Sequence, residues 1–181
     1  MTFRVYFQAE QAFLSFVKRT LARPCKDNEV VVEKGAVCVL ACEAALEAMV
    51  NSLLRDDGRL KHYDELKLKS KIETIANYGG KQINWGAPPW QDIAHLIYLR
   101  NWLAHFKDPD IGLINSDGQW IQDNYNRIPK IDPDKELSTR SIKRYYDSTR
   151  LCLIELSVCM GIDPYFYQFL DDEKYETYLV G

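Results

Sequence analysis

The sequence predicts an all-α helical bundle of about five main helices. Three observations carry this: apolar residues recur at helical spacing in five separate stretches, turn residues punctuate those stretches, and a strand signal occurs only once. In the first helix, roughly 6–22, Phe13, Phe16, Val17 and Leu21 recur at helical spacing and Pro24 lies just beyond. A second helix, 32–54, places Val39, Cys42, Leu46, Met49, Val50 and Leu53 on one stripe and is apolar nearly all round in its first half. That pattern belongs to a central, buried helix. Asp56-Asp57-Gly58 ends it. A third helix, about 63–78, carries Leu68, Ile72, Ile75 and Ala76 and stops at Gly79-Gly80, and residues 79–89, with three glycines and two prolines, form a loop.

Pro89, a favoured first-turn residue, opens the fourth helix, which runs through Ile93, Leu96, Ile97 and Leu103 and ends before Asp108-Pro109. Residues 107–136 read as a loop-rich insertion in which Asp117-Gly118, between apolar runs, signals a hairpin. Ser138 caps a fifth long helix with the stripe Ile142, Tyr145, Thr149, Cys152, Leu153, Leu156 and Met160, and Gly161 stops it. An aromatic, acidic tail over 163–181 suits a short last helix. The 181 residues are expected to form a single helical-bundle domain, without repeats or low-complexity tracts.

Composition narrows the function. The net charge of -3 and pI near 5.7 exclude a broadly basic nucleic-acid coat and a polybasic membrane binder. The acids are unevenly placed: residues 163–181 hold Asp163, Asp171, Asp172, Glu173 and Glu176 against Lys174, so the remainder is close to neutral. A local cationic site is compatible with that balance. Five cysteines, Cys25, Cys38, Cys42, Cys152 and Cys159, are an odd count without zinc spacing, so they read as free thiols. The amino terminus lacks a signal-peptide pattern, and the longest apolar run, Ala36–Cys42, is seven residues. A cytoplasmic protein without a membrane partner is the expectation.

The chemistry-bearing stretch is Leu99-Arg100-Asn101-Trp102-Leu103-Ala104-His105-Phe106, at the end of the fourth helix. Asn101 and His105 fall about 40° apart on one helical face. Arg100 occupies a position that the apolar stripe would give to a hydrophobe, which is costly unless the charge is paired or faces a cleft. The second helix carries Glu43, Glu47 and Asn51 as a polar line at i, i+4 and i+8. A guanidinium among facing carboxylates would account for both anomalies and place a cleft between the second and fourth helices. These residue types suit phosphodiester chemistry. A guanidinium grips two phosphate oxygens, and an imidazole near neutrality moves protons. With a ribose 2′-hydroxyl as internal nucleophile, RNA cleavage needs no metal or other cofactor.

The run Arg100-Asn101-Trp102-Leu103-Ala104-His105, within a helical bundle, resembles the HEPN superfamily (higher eukaryotes and prokaryotes nucleotide-binding). The resemblance spans the helices at 32–54, 63–78 and 89–107 and extends to the fifth. It implies a metal-independent endoribonuclease of toxin–antitoxin or phage-defence type that cleaves single-stranded RNA at a composite site between two protomers of a homodimer. Arg100 would bind the scissile phosphate, His105 would transfer protons and Asn101 would orient one of them, with Glu43 or Glu47 as a supporting acid. An antitoxin or nucleotidyltransferase partner is part of the same implication. The long insertion after His105 departs from the compact pattern.

Other readings stay open. Arg100 also suits a structural ion pair with Glu43 or Glu47, and His105 suits a helix-capping imidazole. The whole chain would then be a non-catalytic module that binds a nucleotide or a protein. A metal-dependent all-α nucleotide pyrophosphohydrolase is a further alternative, although Glu43 and Glu47 alone fall short of its magnesium ligands. Arg140, Lys143 and Arg144 are candidate RNA contacts at the start of the fifth helix. His62 and His95 are assigned to surface or packing roles, Trp85, Trp90, Trp102 and Trp120 to packing, and Lys67, Lys69 and Lys71 to a solvated helix face. Asp108, Asp110 and Asp117 lack calcium-loop spacing.

Overall fold

The structure, a computed structural model, describes residues 9–23, 25–58, 62–104, 113–114, 120–121 and 131–163. Its helices are α1 (Ala9–Leu21), α2 (Asn28–Asp57), α3 (Leu68–Tyr78), α4 (Trp90–Ala104), α5 (Pro133–Glu136) and α6 (Thr139–Cys159). A 3-10 turn spans Tyr63–Glu65, and two-residue strands β1 (Leu113–Ile114) and β2 (Trp120–Ile121) pair antiparallel, Leu113 opposite Ile121. The molecule is therefore an all-α bundle, and Asp117-Gly118, outside the described residues, lies in the chain between the two paired strands. The proposed tail helix falls on residues 164–181, outside those described, as do His105 and most of the 107–136 insertion.

The hub is α2, 30 residues long and in contact with all five of the other helices. Asp27 caps it by accepting from the Glu29 amide, and Gly58 closes it in the left-handed region, at φ 66. All six residues of its predicted stripe are essentially solvent-free. Because neighbours surround it, α2 is apolar on most sides. Its Asn28–Arg55 stretch is long and apolar enough to cross a membrane by composition, with mean hydropathy 1.7, yet 61% of that window is buried within the bundle. Cys42 behaves as the core hydrophobe its neighbours suggest, its thiol pushed up to about 12 by burial.

Around α2, Leu14 and Val17 of α1, Ile72 and Ile75 of α3, Ile93, Leu96 and Leu99 of α4, and Ile142, Tyr145, Cys152, Leu153 and Leu156 of α6 complete the core. Gly35 lets α2 meet Leu137, the residue just after α5. A Cβ there would lie 2.2 Å from the Leu137 carbonyl oxygen, so no larger residue fits without displacement. Gly161 (φ 70) follows the α6 cap as the sequence predicts.

Four expectations need correction. On α1 the buried line is Glu10, Leu14 and Val17, while Phe13 and Phe16 stay exposed, because the stripe is centred one residue further round. The predicted helix at 63–78 is two pieces, since Leu66 and Lys67 are extended and separate the 3-10 turn from α3. Residues 133–136, placed in the insertion, form α5, with Asp132 as cap and Pro133 in the first turn. Lys71 is not on a solvated face. It is 3% exposed, donates to Asn51 Oδ1 at 2.8 Å and stands 5.9 Å from the Tyr63 ring centre.

Candidate functional site

The site begins with the polar line on α2. Glu43 is 8% exposed in an otherwise apolar surround, so its carboxylate is costly without a partner. Arg100, near the end of α4, supplies that partner, its Nε lying 3.6 Å from Glu43 Oε2. The same guanidinium donates through Nη1 to Asn101 Oδ1 at 3.2 Å. Burial pushes the Glu43 carboxyl above its usual range. The Arg100 charge pulls it back down, and neighbouring Glu47 raises it again. The two anomalies in the sequence, an Arg on an apolar stripe and acids on an apolar helix, thus meet across the α2–α4 seam.

The line divides its work along α2. Glu43 takes Arg100, Glu47 acts on Glu43 through charge, and Asn51 accepts from Lys71. The Arg100 side chain remains 37% exposed, and the Glu43 side chain 10%, so the acid lies beneath and the cation reaches solvent at the helix end. Asn101 is exposed beside it. His105 lies outside the described residues.

A second polar cluster joins the middle of α4 to α5 and α6, and the sequence reading gave it no role. Its centre is Glu136, the last residue of α5. Tyr145 donates its hydroxyl to Glu136 Oε2 at 2.8 Å, and His95 Nε2 lies 3.0 Å from the same oxygen. Arg144 donates through Nη2 to the Tyr145 hydroxyl at 3.0 Å, and its Nε lies 3.3 Å from Asp92 Oδ1. Ser148 closes the chain by donating to Asp92 Oδ2 at 2.7 Å. Burial raises Glu136, but the hydrogen bonds from Tyr145 and His95 and the charges of His95 and Arg144 outweigh it and hold the carboxyl below its usual range. Burial, then the Glu136 carboxylate, pushes the Tyr145 phenol up.

The rings in this cluster form a ladder. His95 stacks on Tyr145 at 5.9 Å between centroids, Tyr98 tilts against His95 at 6.0 Å, and the Arg144 guanidinium lies 4.9 Å from the Tyr145 ring centre. Of the three predicted RNA contacts, Arg144 is engaged here, Lys143 pairs with Asp147 at 2.7 Å, and Arg140 is exposed. His95 has no telltale spacing in the sequence, because Glu136 and Tyr145 reach it from other elements. The only available signal was Tyr145 on the predicted α6 stripe, a core position whose hydroxyl must find a partner.

Among the described residues, no group of three or more His, Cys, Asp or Glu side chains is arranged to hold a metal ion. The tryptophan expectation holds where it can be read: Trp90 is buried, and Trp85 packs edge-on against it at 5.8 Å while donating to Glu73. No family model, curated protein or solved structure matches the chain.

Proposed function

We propose that the chain is a HEPN-like endoribonuclease that cleaves single-stranded RNA without a metal, working as a homodimer with a composite site. The observation that supports this reading is the Arg100 guanidinium at the end of α4, backed by buried Glu43, joined to Asn101 and open to solvent on its outer side. Glu43 fixes the fork from beneath, and the exposed part meets a phosphodiester. Asn101 limits its rotation. His105, five residues on, takes the proton-transfer role that the sequence motif implies. In the balanced step, the ribose 2′-oxygen attacks phosphorus and loses its proton while the P–O5′ bond breaks and the departing oxygen gains one. The products are a 2′,3′-cyclic phosphate and a 5′-hydroxyl. A cytoplasmic location and an antitoxin or nucleotidyltransferase partner belong to the same proposal.

The test is incubation of single-stranded RNA with the purified protein in EDTA, beside Arg100→Ala and His105→Ala. Cleavage that survives chelation and falls by about 100-fold or more in both variants is expected, the scale of losing one oriented group that stabilises transition-state charge. Intact RNA after incubation with folded dimer, under all salt and pH conditions, would overturn the ribonuclease reading. A second reading has one observation in its favour: the Arg100–Glu43 ion pair also suits a module that binds a nucleotide or protein without cutting. In that case RNA or nucleotide is bound but returned intact. Chelator-sensitive turnover of nucleoside triphosphates would instead mark the pyrophosphohydrolase alternative.

A further inference from the structure

The α4 surface just before Arg100 carries a feature that the cleavage chemistry does not use. Tyr98 is 37% exposed, and Asn101 lies three positions further on. In an α-helix that spacing is about 4.5 Å of rise and about 60° of rotation. The ring leans on His95, which stacks on Tyr145, so the platform is backed from the surface into the core. An exposed aromatic side chain held this way loses little freedom on binding a second flat ring.

The charges around the ladder are layered by depth. The two acids lie low: the side chains of Asp92 and Glu136 are 15% and 17% exposed, and their oxygens are occupied by Ser148, Arg144, Tyr145 and His95. Above them Arg144 is 52% exposed and His95 38%, and Arg140 is exposed one turn earlier on α6. The solvent-facing layer is thus aromatic and cationic; Arg100 projects from another side of α4 and reaches towards it through the contact of its Nη1 with Asn101, which lies about 60° from Tyr98. An aromatic face flanked by cations matches a single-stranded nucleic acid, whose bases stack and whose phosphates are anionic. A docked protein helix would instead want an apolar groove.

We infer that Tyr98, backed by His95, is a stacking platform for an unpaired nucleobase of single-stranded RNA next to the phosphate held at Arg100, with Arg144 and Arg140 contacting the neighbouring backbone. The inference rests on the proposed ribonuclease reading and deepens it by assigning a base subsite. Stacking tolerates any base, so this subsite favours unpaired strands over duplex without selecting a sequence.

The probe is a short single-stranded oligoribonucleotide with 2′-O-methyl riboses, which blocks cleavage, and one 2-aminopurine. Binding to the full chain is read by anisotropy and stacking by quenching of the 2-aminopurine. Tyr98→Ala is expected to raise Kd about 10-fold and abolish the quenching, whereas Tyr98→Phe stays within about 2-fold of wild type. An abasic site in place of the 2-aminopurine should erase the difference between Tyr98→Ala and wild type. Thermal melting of Tyr98→Ala, an exposed position, controls for folding. If wild type binds and cleaves RNA but Tyr98→Ala binds with unchanged Kd, the platform is refuted and the ribonuclease reading stands. If wild type neither binds the oligomer nor cleaves RNA, both fall. Binding that survives in Tyr98→Ala but drops in Tyr98→Phe also overturns the proposal, since stacking needs the ring.

Discussion

The two polar clusters along α4 are built in opposite ways. At the middle of the helix, His95, Glu136, Tyr145, Arg144, Asp92 and Ser148 satisfy one another through contacts of 2.7–3.3 Å. At the end of the helix, Arg100 has, among the described residues, a single carboxylate, Glu43 at 3.6 Å, and otherwise only Asn101 at 3.2 Å; the difference lies in the number and length of contacts, since Arg144 and His95 are about as exposed as Arg100 or more so. A closed network fixes helices to one another, because losing any member strands a desolvated partner. An open pair leaves hydrogen-bonding capacity for something else. The contrast makes the buried acids of the inner cluster architectural and the terminal pair chemical, with Tyr98 and the exposed sides of His95 and Arg144 left for a ligand.

Gly35→Ala is the strongest way to break this contrast without touching either cluster. The new methyl would press on the Leu137 carbonyl and push α5, with Glu136, away from His95. A loss of about 3 kcal/mol is expected, measured by denaturant unfolding. An unchanged midpoint would mean that α5 gives way freely and that the middle cluster does not brace the bundle.

Tyr145→Phe removes one hydroxyl and keeps the ring packed. It takes one of two partners from Glu136, leaving His95, and one of two from Arg144, leaving Asp92, for an expected loss of about 1 kcal/mol in a thermal or chemical melt. A cost near zero would show that water replaces the hydroxyl and that the network is less closed than its distances indicate.

The smallest effect sharpens the comparison most, because the two carboxylates differ in sign. Glu136 is held below its ordinary value of 4.5, so its contribution is present above that pH and is lost as pH falls through the lowered folded value. Glu43 is held above 4.5, so its contribution is present below 4.5 and is lost as pH rises through the raised folded value. Melting temperatures across acid to neutral pH should show Glu136→Gln below wild type at neutrality and converging with it in acid. Glu43→Gln should match wild type in acid and gain on it towards neutrality. Parallel curves for the two variants would remove the distinction between the clusters.

The legibility of the two sites follows from how far apart their parts lie in the chain. Arg100 and Glu43 were readable because each breaks the pattern of its own helix, and a charge on an apolar stripe announces that it needs a partner. The helix cap at Ser138 was readable, since a cap is a contact between residues a few positions apart; Asp27 was not read as one, and α2 begins at Asn28 rather than 32. The middle cluster was not. Glu136 sits on a four-residue helix inside what reads as a loop, and nothing on α4 or α6 signals that it will land between His95 and Tyr145. Lys71 was misread for a related reason: one residue among alternating lysines looks solvated until Asn51 and Tyr63 close over it.

By itself, the sequence determined neither α5 nor the break before α3, but it did determine the long helices, the central place of α2 and the end of α4 as a place where charge collects. All of these are encoded by periodicity, caps and turns that act over a few residues. Only the tertiary structure decided which acid faces Arg100, that Lys71 is enclosed, that α1 turns its phenylalanines outward, and that an aromatic ladder runs from Tyr98 into the core. Those outcomes depend on helix rotation and on contacts between residues tens of positions apart. Such contacts are set by packing the whole bundle, and local pattern does not encode them.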